Sequence, residues 1–193
     1  MWMMPEKTQY MMHQNKHEPT RSYGEQLHKV AENFAKNKFK VDALEIGCAW
    51  GVSALAFLTV DNITLTSVDK NTKTRAMEEV PINGYKDRWT FIGYPSDKFW
   101  ESEHCKSYDL IYIDGSHKYG ECRNDFYKAW EHLKEYGILI VDDYCHPKNQ
   151  EVEEDGTVEY GVSLALCEFM RDHKFQRINA YKNIFVIHRG QNA

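Results

Sequence analysis

Apolar residues recur along this chain in two alternating rhythms. Leu27, Val30, Ala31 and Phe34 follow one another at three- and four-residue steps, which predicts an amphipathic helix from Ser22 to about Lys38. Ser22-Tyr23-Gly24-Glu25 has the spacing of a capping box, with Ser22 as N-cap and Glu25 reaching back. Short strand-like runs come next: Val41–Ile46, Ile63–Val68, Trp89–Ile92, Tyr108–Ile113 and Ile138–Val141. Runs this short and rich in β-branched and aromatic residues, set between helical stretches, read as strands of a sheet. A short apolar helix over Ser53–Val60 separates the first two. Phe126, Ala129, Trp130 and Leu133 mark another helix, expected to end near Gly137, a natural residue to follow a helix C-terminus. Strand and helix in alternation predict a parallel sheet covered on both sides.

The last third departs from that rhythm. Tyr160, Leu164, Cys167 and Met170 fall on one helical face. Phe175–Ala180 and Ile184–His188 are separated only by Tyr181-Lys182-Asn183, too short for a parallel crossover, so these two runs must pair antiparallel. The expected fold is a single α/β domain over 22–193, its sheet mostly parallel with a C-terminal antiparallel hairpin. Residues 1–21 are polar and aperiodic and read as an N-terminal arm or lid.

Composition narrows the function. With 193 residues, 24 Lys+Arg and 29 Asp+Glu, the chain is one domain's worth of sequence at a net charge of −5, which argues against nucleic acid held by an overall positive field. No apolar run approaches a membrane span, and Met1-Trp2-Met3-Met4-Pro5-Glu6 lacks the basic and apolar regions of a secretory signal. Five cysteines, an odd number without CxxC spacing, read as free thiols in a reducing cytoplasm and give no zinc site. The sequon Asn62-Ile63-Thr64 carries no weight without a secretory context.

Two stretches carry candidate chemistry. In Leu44-Glu45-Ile46-Gly47-Cys48-Ala49-Trp50-Gly51-Val52-Ser53 a strand turns into a helix, and Gly47 and Gly51 allow close approach of backbone to a ligand. Ala49 and Val52 stand where a dinucleotide fingerprint needs glycines, and no Gly-Lys-Ser/Thr follows for a P-loop. Asp69 closes the second strand, where a carboxylate can accept both hydroxyls of a ribose or simply form a turn. Glu45, one residue before the turn, faces either the ligand or a polar partner inside the fold. The second stretch ends two strands in acids: Asp114 in one, Asp142-Asp143 in the other. Three converging carboxylates repel unless protons or a cation neutralise them, and an oxygen-only set suits Mg²⁺, Mn²⁺ or Ca²⁺. The competing reading of Asp142-Asp143 is an ordinary turn.

These residues together resemble a known family. Glu45-x-Gly47-x-x-x-Gly51-x-Ser53 followed by Asp69 is similar to the cofactor signature of class I S-adenosylmethionine-dependent methyltransferases, whose Rossmann-like sandwich also ends in an antiparallel hairpin. Ile113-Asp114-Gly115-Ser116-His117-Lys118-Tyr119, then Val141-Asp142-Asp143-Tyr144, resembles the small metal-dependent O-methyltransferases of macrolide-sugar and catechol type. The resemblance spans about residues 22–190. It implies Glu45, Gly47, Ala49, Gly51, Ser53, Asp69, Ser96 and Asp114 around the cofactor, with Asp69 on the ribose and Ser96 at the adenine. It implies Asp114, Asp142 and Asp143 as ligands of Mg²⁺ or another divalent cation. His117 then falls where relatives keep a general base, an imidazole being suited to taking a hydroxyl proton near neutrality; the competing reading is a surface histidine. His146 is the weaker candidate. The polar segment 145–159 reads as a solvated acidic loop on the ligand side. The expected reaction is methyl transfer to a small-molecule hydroxyl. The alternatives are a non-catalytic cofactor-binding protein on the same fold and a methyltransferase directed to nitrogen or to protein.

Overall fold

The chain folds around one seven-stranded sheet; the computed structural model describes residues 19–150 and 160–191. Most of the expected arm over 1–21 and part of the acidic loop over 145–159 therefore lie outside the described residues. In chain order the elements are α1 (Pro19–Ala35), β1 (Val41–Ile46), α2 (Val52–Leu58), β2 (Ile63–Val68), α3 (Ala76–Ile82), β3 (Trp89–Ile92), α4 (Ser96–Trp100), β4 (Tyr108–Ile113), α5 (Tyr119–His132), β5 (Leu133–Val141), α6 (Val162–Asp172), β6 (Arg177–Ala180) and β7 (Phe185–His188). The sheet order is β3-β2-β1-β4-β5-β7-β6. The first five of these strands run parallel, while β7 pairs antiparallel with both β5 and β6, as the short connection requires.

Successive side chains of each strand point to opposite faces, so the sheet feeds two cores. Val41, Ala43, Leu110, Tyr112, Ile138 and Ile140 pack on one side with Leu27 and Ala31 of α1 and Leu55 and Leu58 of α2. Leu44, Ile46, Ile111, Ile113, Leu139 and Val141 pack on the other with Phe126 and Trp130 of α5 and Leu166 and Phe169 of α6. Phe169 is fully buried and meets Phe126 and Trp130 edge-on, at 6.3 and 5.5 Å between ring centroids. Burial of a side chain of this size contributes about 1.5–3 kcal/mol.

Three expectations about the elements are corrected. The first helix already includes Pro19, so Ser22 sits within it and does not cap it. Gly137 does not follow a helix end: α5 stops at His132, and β5 takes over with a register shift opposite Tyr108 and Leu110. At Gly137 a Cβ would stand 2.8 Å from the carbonyl oxygens of Asp109 and Lys134, so close packing in an irregular strand demands the glycine. In α6, Leu164 and Cys167 are exposed, and the core face is instead Val162, Ala165, Leu166 and Phe169; Tyr160 precedes the helix.

Candidate active site

Strand register lines up the chemistry. Ile46 pairs with Val68 on one side and with Ile113 on the other, Val68 pairs with Ile92, and Ile113 pairs with Val141. The next residues, Gly47, Asp69, Asp114 and Asp142, therefore form a row along the carboxyl edge of the sheet. The ladder continues into that row through Gly47 N to Val68 O (2.8 Å), Asp114 N to Ile46 O (2.8 Å) and Asp142 N to Ile113 O (3.0 Å). The chain leaves β1 toward β2 and returns on its other side as β4, so the row crosses a topological switch point, where open α/β sheets bind ligands.

A cleft of about 690 Å³ opens there. Gly47, Ala49, Asp69, Ser96 and Asp114 all line it, together with Lys70, Tyr94 and Asn124. Gly47 has φ +85°, and a Cβ on it would lie 2.0 Å from the Asp114 carbonyl oxygen. Only glycine fits between the ends of β1 and β4. Asp69 ties the turn together. Its Oδ2 accepts from the amides of Cys48 (3.1 Å) and Ala49 (3.2 Å), and its Oδ1 accepts from the amide of Asn71 (2.8 Å).

Glu45, Gly51 and Ser53, expected at the cofactor, are not in the cleft wall. Glu45 is fully buried beneath the turn, accepting from the hydroxyls of Ser53 and Ser67, the latter at 2.6 Å. Burial pushes its carboxyl up to about 7, against the pull of the two serine hydrogen bonds. Gly51, at φ +79°, faces Ala76 at the start of α3, where a Cβ would meet the Ala76 Cα at 3.0 Å. Glycine is needed there for packing of the turn against α3.

The acids gather at one end of the cleft. The buried Tyr112 hydroxyl stands 3.1 Å from Asp114 Oδ2 and 3.0 Å from Asp142 Oδ2, so one proton is shared between two carboxylates. Burial, then Asp142 and Asp143, hold the Asp114 carboxyl well above its ordinary range. Burial and the neighbouring Asp143 push Asp142 up to about 6. Asp143 moves the other way: burial raises it, but His117 and Tyr160 outweigh burial and hold it below the usual carboxylate value. His117 Nε2 lies 3.1 Å from Asp143 Oδ2 at ion-pair distance, without the alignment of a hydrogen bond, and Tyr160 donates to the same oxygen at 2.5 Å. The His117 ring stacks on Tyr160 with centroids 4.4 Å apart. Gly161 makes this possible, because its amide bonds the His117 carbonyl at 2.7 Å and a Cβ on it would strike Tyr119 at 2.4 Å.

Ligand-competent atoms of Asp114, His117 and Asp143 lie within 4.8 Å of one another. His117 thus lies in one group with two of the three expected aspartates, while the third, Asp142, stands behind them, its Oδ1 buried without a hydrogen-bond partner among the described residues. Sequence reasoning also missed three tyrosines. Tyr23 of α1 brings a hydroxyl shut from solvent up to Asp114 and Asp142, where burial and the two acids raise its pKa. Tyr112 was legible only as one of two tyrosines in a strand that also carries Asp109. Tyr160 carried no local signal at all.

Residues 44–144 match the family described as "Methyltransferase domain", more than half of the chain. The chain belongs to that methyltransferase family. No curated protein matches it. Solved structures do. A Podospora anserina methyltransferase with S-adenosylhomocysteine bound has a TM-score of 0.70 at 19% identity, over 98% of this chain and 89% of that one. TomG from Streptomyces achromogenes, an O-methyltransferase involved in tomaymycin synthesis and solved with S-adenosylmethionine, has a TM-score of 0.69 at 15% identity, over 89% and 81%. An O-methyltransferase from Bacillus cereus in complex with S-adenosylhomocysteine has a TM-score of 0.68 at 14% identity, over 87% and 81%. At such identities the likeness is one of fold, and this methyltransferase has the class I Rossmann-like architecture that its sheet order describes. Among its described residues no helix is long and apolar enough to cross a membrane.

Proposed function

We propose that the chain is an S-adenosylmethionine-dependent O-methyltransferase that acts on a small-molecule hydroxyl with the help of a divalent cation. The observation that carries this reading is a roomy cleft at the switch point ending in a half-buried acid cluster, with Asp114 belonging to both. S-adenosylmethionine bound in the cleft supplies a methyl group already activated on a sulfonium. The protein's own work is then to orient the two reactants and dispose of a proton.

The cleft residues suit that cofactor. Gly47 keeps the floor free of a side chain, and the Asp69 carboxylate lies at the wall beside it. Three of the roughly four lone-pair sites of a carboxylate are used by backbone amides at Asp69, so it accepts one ribose hydroxyl and not two. With the methyl end directed at the acid cluster and the ribose at Asp69, the base falls to the remaining wall, Tyr94 to Asp97.

The acid cluster suits a cation, since buried Asp142, with its orphaned Oδ1, and half-buried Asp114 and Asp143 stand close together and repel one another unless protons or a cation neutralise them. Asp114, His117 and Asp143 would hold Mg²⁺ or Mn²⁺, which when bound lowers the pKa of a coordinated hydroxyl. Asp142 and Tyr112 support the cluster from below. A second reading keeps His117 as the general base, favoured by its half-exposed ring and by Asp143 beside Nε2. One nitrogen cannot both ligate and take the proton, so the His117→Ala variant separates the two. It loses metal affinity if His117 is a ligand, and keeps it while the chemical step slows by ~10²–10⁴-fold if His117 is the base. Five free cysteines suit a reducing cytoplasm.

The test is transfer of labelled methyl from S-adenosylmethionine to a panel of hydroxylated small molecules. O-methylated product that disappears with chelator and returns with Mg²⁺ is the expected result. Product methylated on nitrogen overturns the oxygen-directed reading, and full turnover in chelator removes the cation.

A further inference from the structure

One buried carboxylate takes no part in the chemistry above. Asp125 of α5 is fully buried, yet its two oxygens have different partners: Oδ1 accepts from the indole N–H of Trp100 (2.8 Å) and Oδ2 accepts from the hydroxyl of Ser96 (3.1 Å). Ser96 is itself half-buried and lines the cofactor cleft, so Asp125 reaches the cleft through one hydroxyl.

A serine hydroxyl has one proton and two lone pairs. If the proton is committed to Asp125, Ser96 Oγ can offer the cleft only lone pairs. A carboxylate with no proton of its own enforces that direction, because it cannot donate in return. Burial pushes Asp125 up to about 6, against the pull of Trp100 and Ser96, so at pH 7.5 it is ionised and acceptor-only.

We propose that Asp125 is a specificity-determining positioning residue that locks Ser96 as a hydrogen-bond acceptor, so that the cleft selects a purine bearing an exocyclic amine over its 6-oxo counterpart. The inference rests on the cofactor reading above and deepens it. Adenine presents an N–H donor at C6, which an acceptor-only Ser96 satisfies. Hypoxanthine presents a carbonyl there, which would face Ser96 lone pair to lone pair. A buried acceptor left facing another acceptor is the strong kind of discrimination.

Trp100 makes the proposal sharply testable. Its indole can only donate, so in Asp125→Asn the amide oxygen must turn to Trp100 and the amide NH₂ must turn to Ser96. Ser96 then accepts from Asn and is released to donate into the cleft while a second lone pair remains, so the preference should be lost. Calorimetric titrations at pH 7.5 would compare S-adenosylhomocysteine with its deaminated analogue, S-inosylhomocysteine. The wild type should favour the adenosyl form by about tenfold or more, in line with a penalised unpaired polar contact. Asp125→Asn should bring that ratio close to one. Ser96→Ala, which leaves the Asp125 carboxylate buried but deletes the acceptor, should reduce the ratio to within about threefold of one; it also serves should the Asn variant not fold. A wild-type ratio near one, or an unchanged ratio in either variant, overturns the lock while cofactor binding stands. No binding of S-adenosylhomocysteine to the wild type overturns the lock and the cofactor reading together.

Discussion

Glu45 is a buried acid whose protonation should be readable as stability. Its folded-state pKa is raised from 4.5 to about 7, chiefly by burial. An acid raised on folding favours the fold in its neutral form, so its contribution is complete below about pH 4.5 and is lost as pH rises through about 7. At 1.36 kcal/mol per pH unit, the span amounts to roughly 3 kcal/mol. Glu45→Gln removes the titration while keeping the shape, and its amide can still serve Ser53 and Ser67, one as acceptor and one as donor. Urea denaturation of both proteins at intervals from pH 4.5 to 7.5 gives the difference directly. Asp125 and Asp142 titrate in the same range but are present in both proteins and cancel. The wild type should lose roughly 3 kcal/mol relative to the Gln variant across the window. Parallel stability curves would refute the reasoning. The same variant should bind S-adenosylhomocysteine within about threefold of wild type, since Glu45 lies beneath the cleft and not in its wall.

Two left-handed glycines should respond differently to alanine. Gly84→Ala, in open space at φ +87°, should cost only about 1–2 kcal/mol of backbone strain, whereas Gly47→Ala must also displace the Asp114 carbonyl and should cost well over that and abolish cofactor binding; denaturation and calorimetry check both. Asp69→Ala releases three backbone amides and should weaken S-adenosylhomocysteine about tenfold or more, with unchanged affinity in a folded variant as the contrary result. Tyr160→Phe removes the hydroxyl that donates to Asp143 while leaving the ring against His117; Mn²⁺ affinity measured by calorimetry should change several-fold, and no change would detach Tyr160 from the cluster.

The sheet was legible because its strands are short, mostly apolar and, for the parallel ones, followed by small or acidic residues. Such runs have few other ways to be satisfied than in a covered parallel sheet. The hairpin at the C-terminus followed from loop length alone. Element ends were less legible. Gly137 carries the same signal whether it ends a helix or fills a crowded strand, and only the distances to Asp109 and Lys134 decide between them. The face of α6 was misread because Leu164 and Cys167 are apolar yet exposed, while the small Ala165 marks the buried side.

In the site, the row of Gly47, Asp69, Asp114 and Asp142 was legible because each residue ends a strand. Register then brings them together whatever the loops do. What the sequence could not convey is which way each carboxylate faces. Glu45 turns to two serines, and the left-handed backbone of Asp143 (φ 54°) accompanies a side chain paired with His117 and Tyr160. Asp125 was invisible for the same reason: an acid in an amphipathic helix reads as a surface residue until the neighbouring Trp100 and Ser96 are known.

The central claim is that the cleft at the switch point holds S-adenosylmethionine. Calorimetric titration of S-adenosylhomocysteine into the purified chain tests it most directly. The account predicts saturable binding at one site per chain, abolished by Gly47→Ala and retained in Glu45→Gln. Absence of binding to the wild-type protein, or binding indifferent to Gly47→Ala in a folded variant, would contradict it.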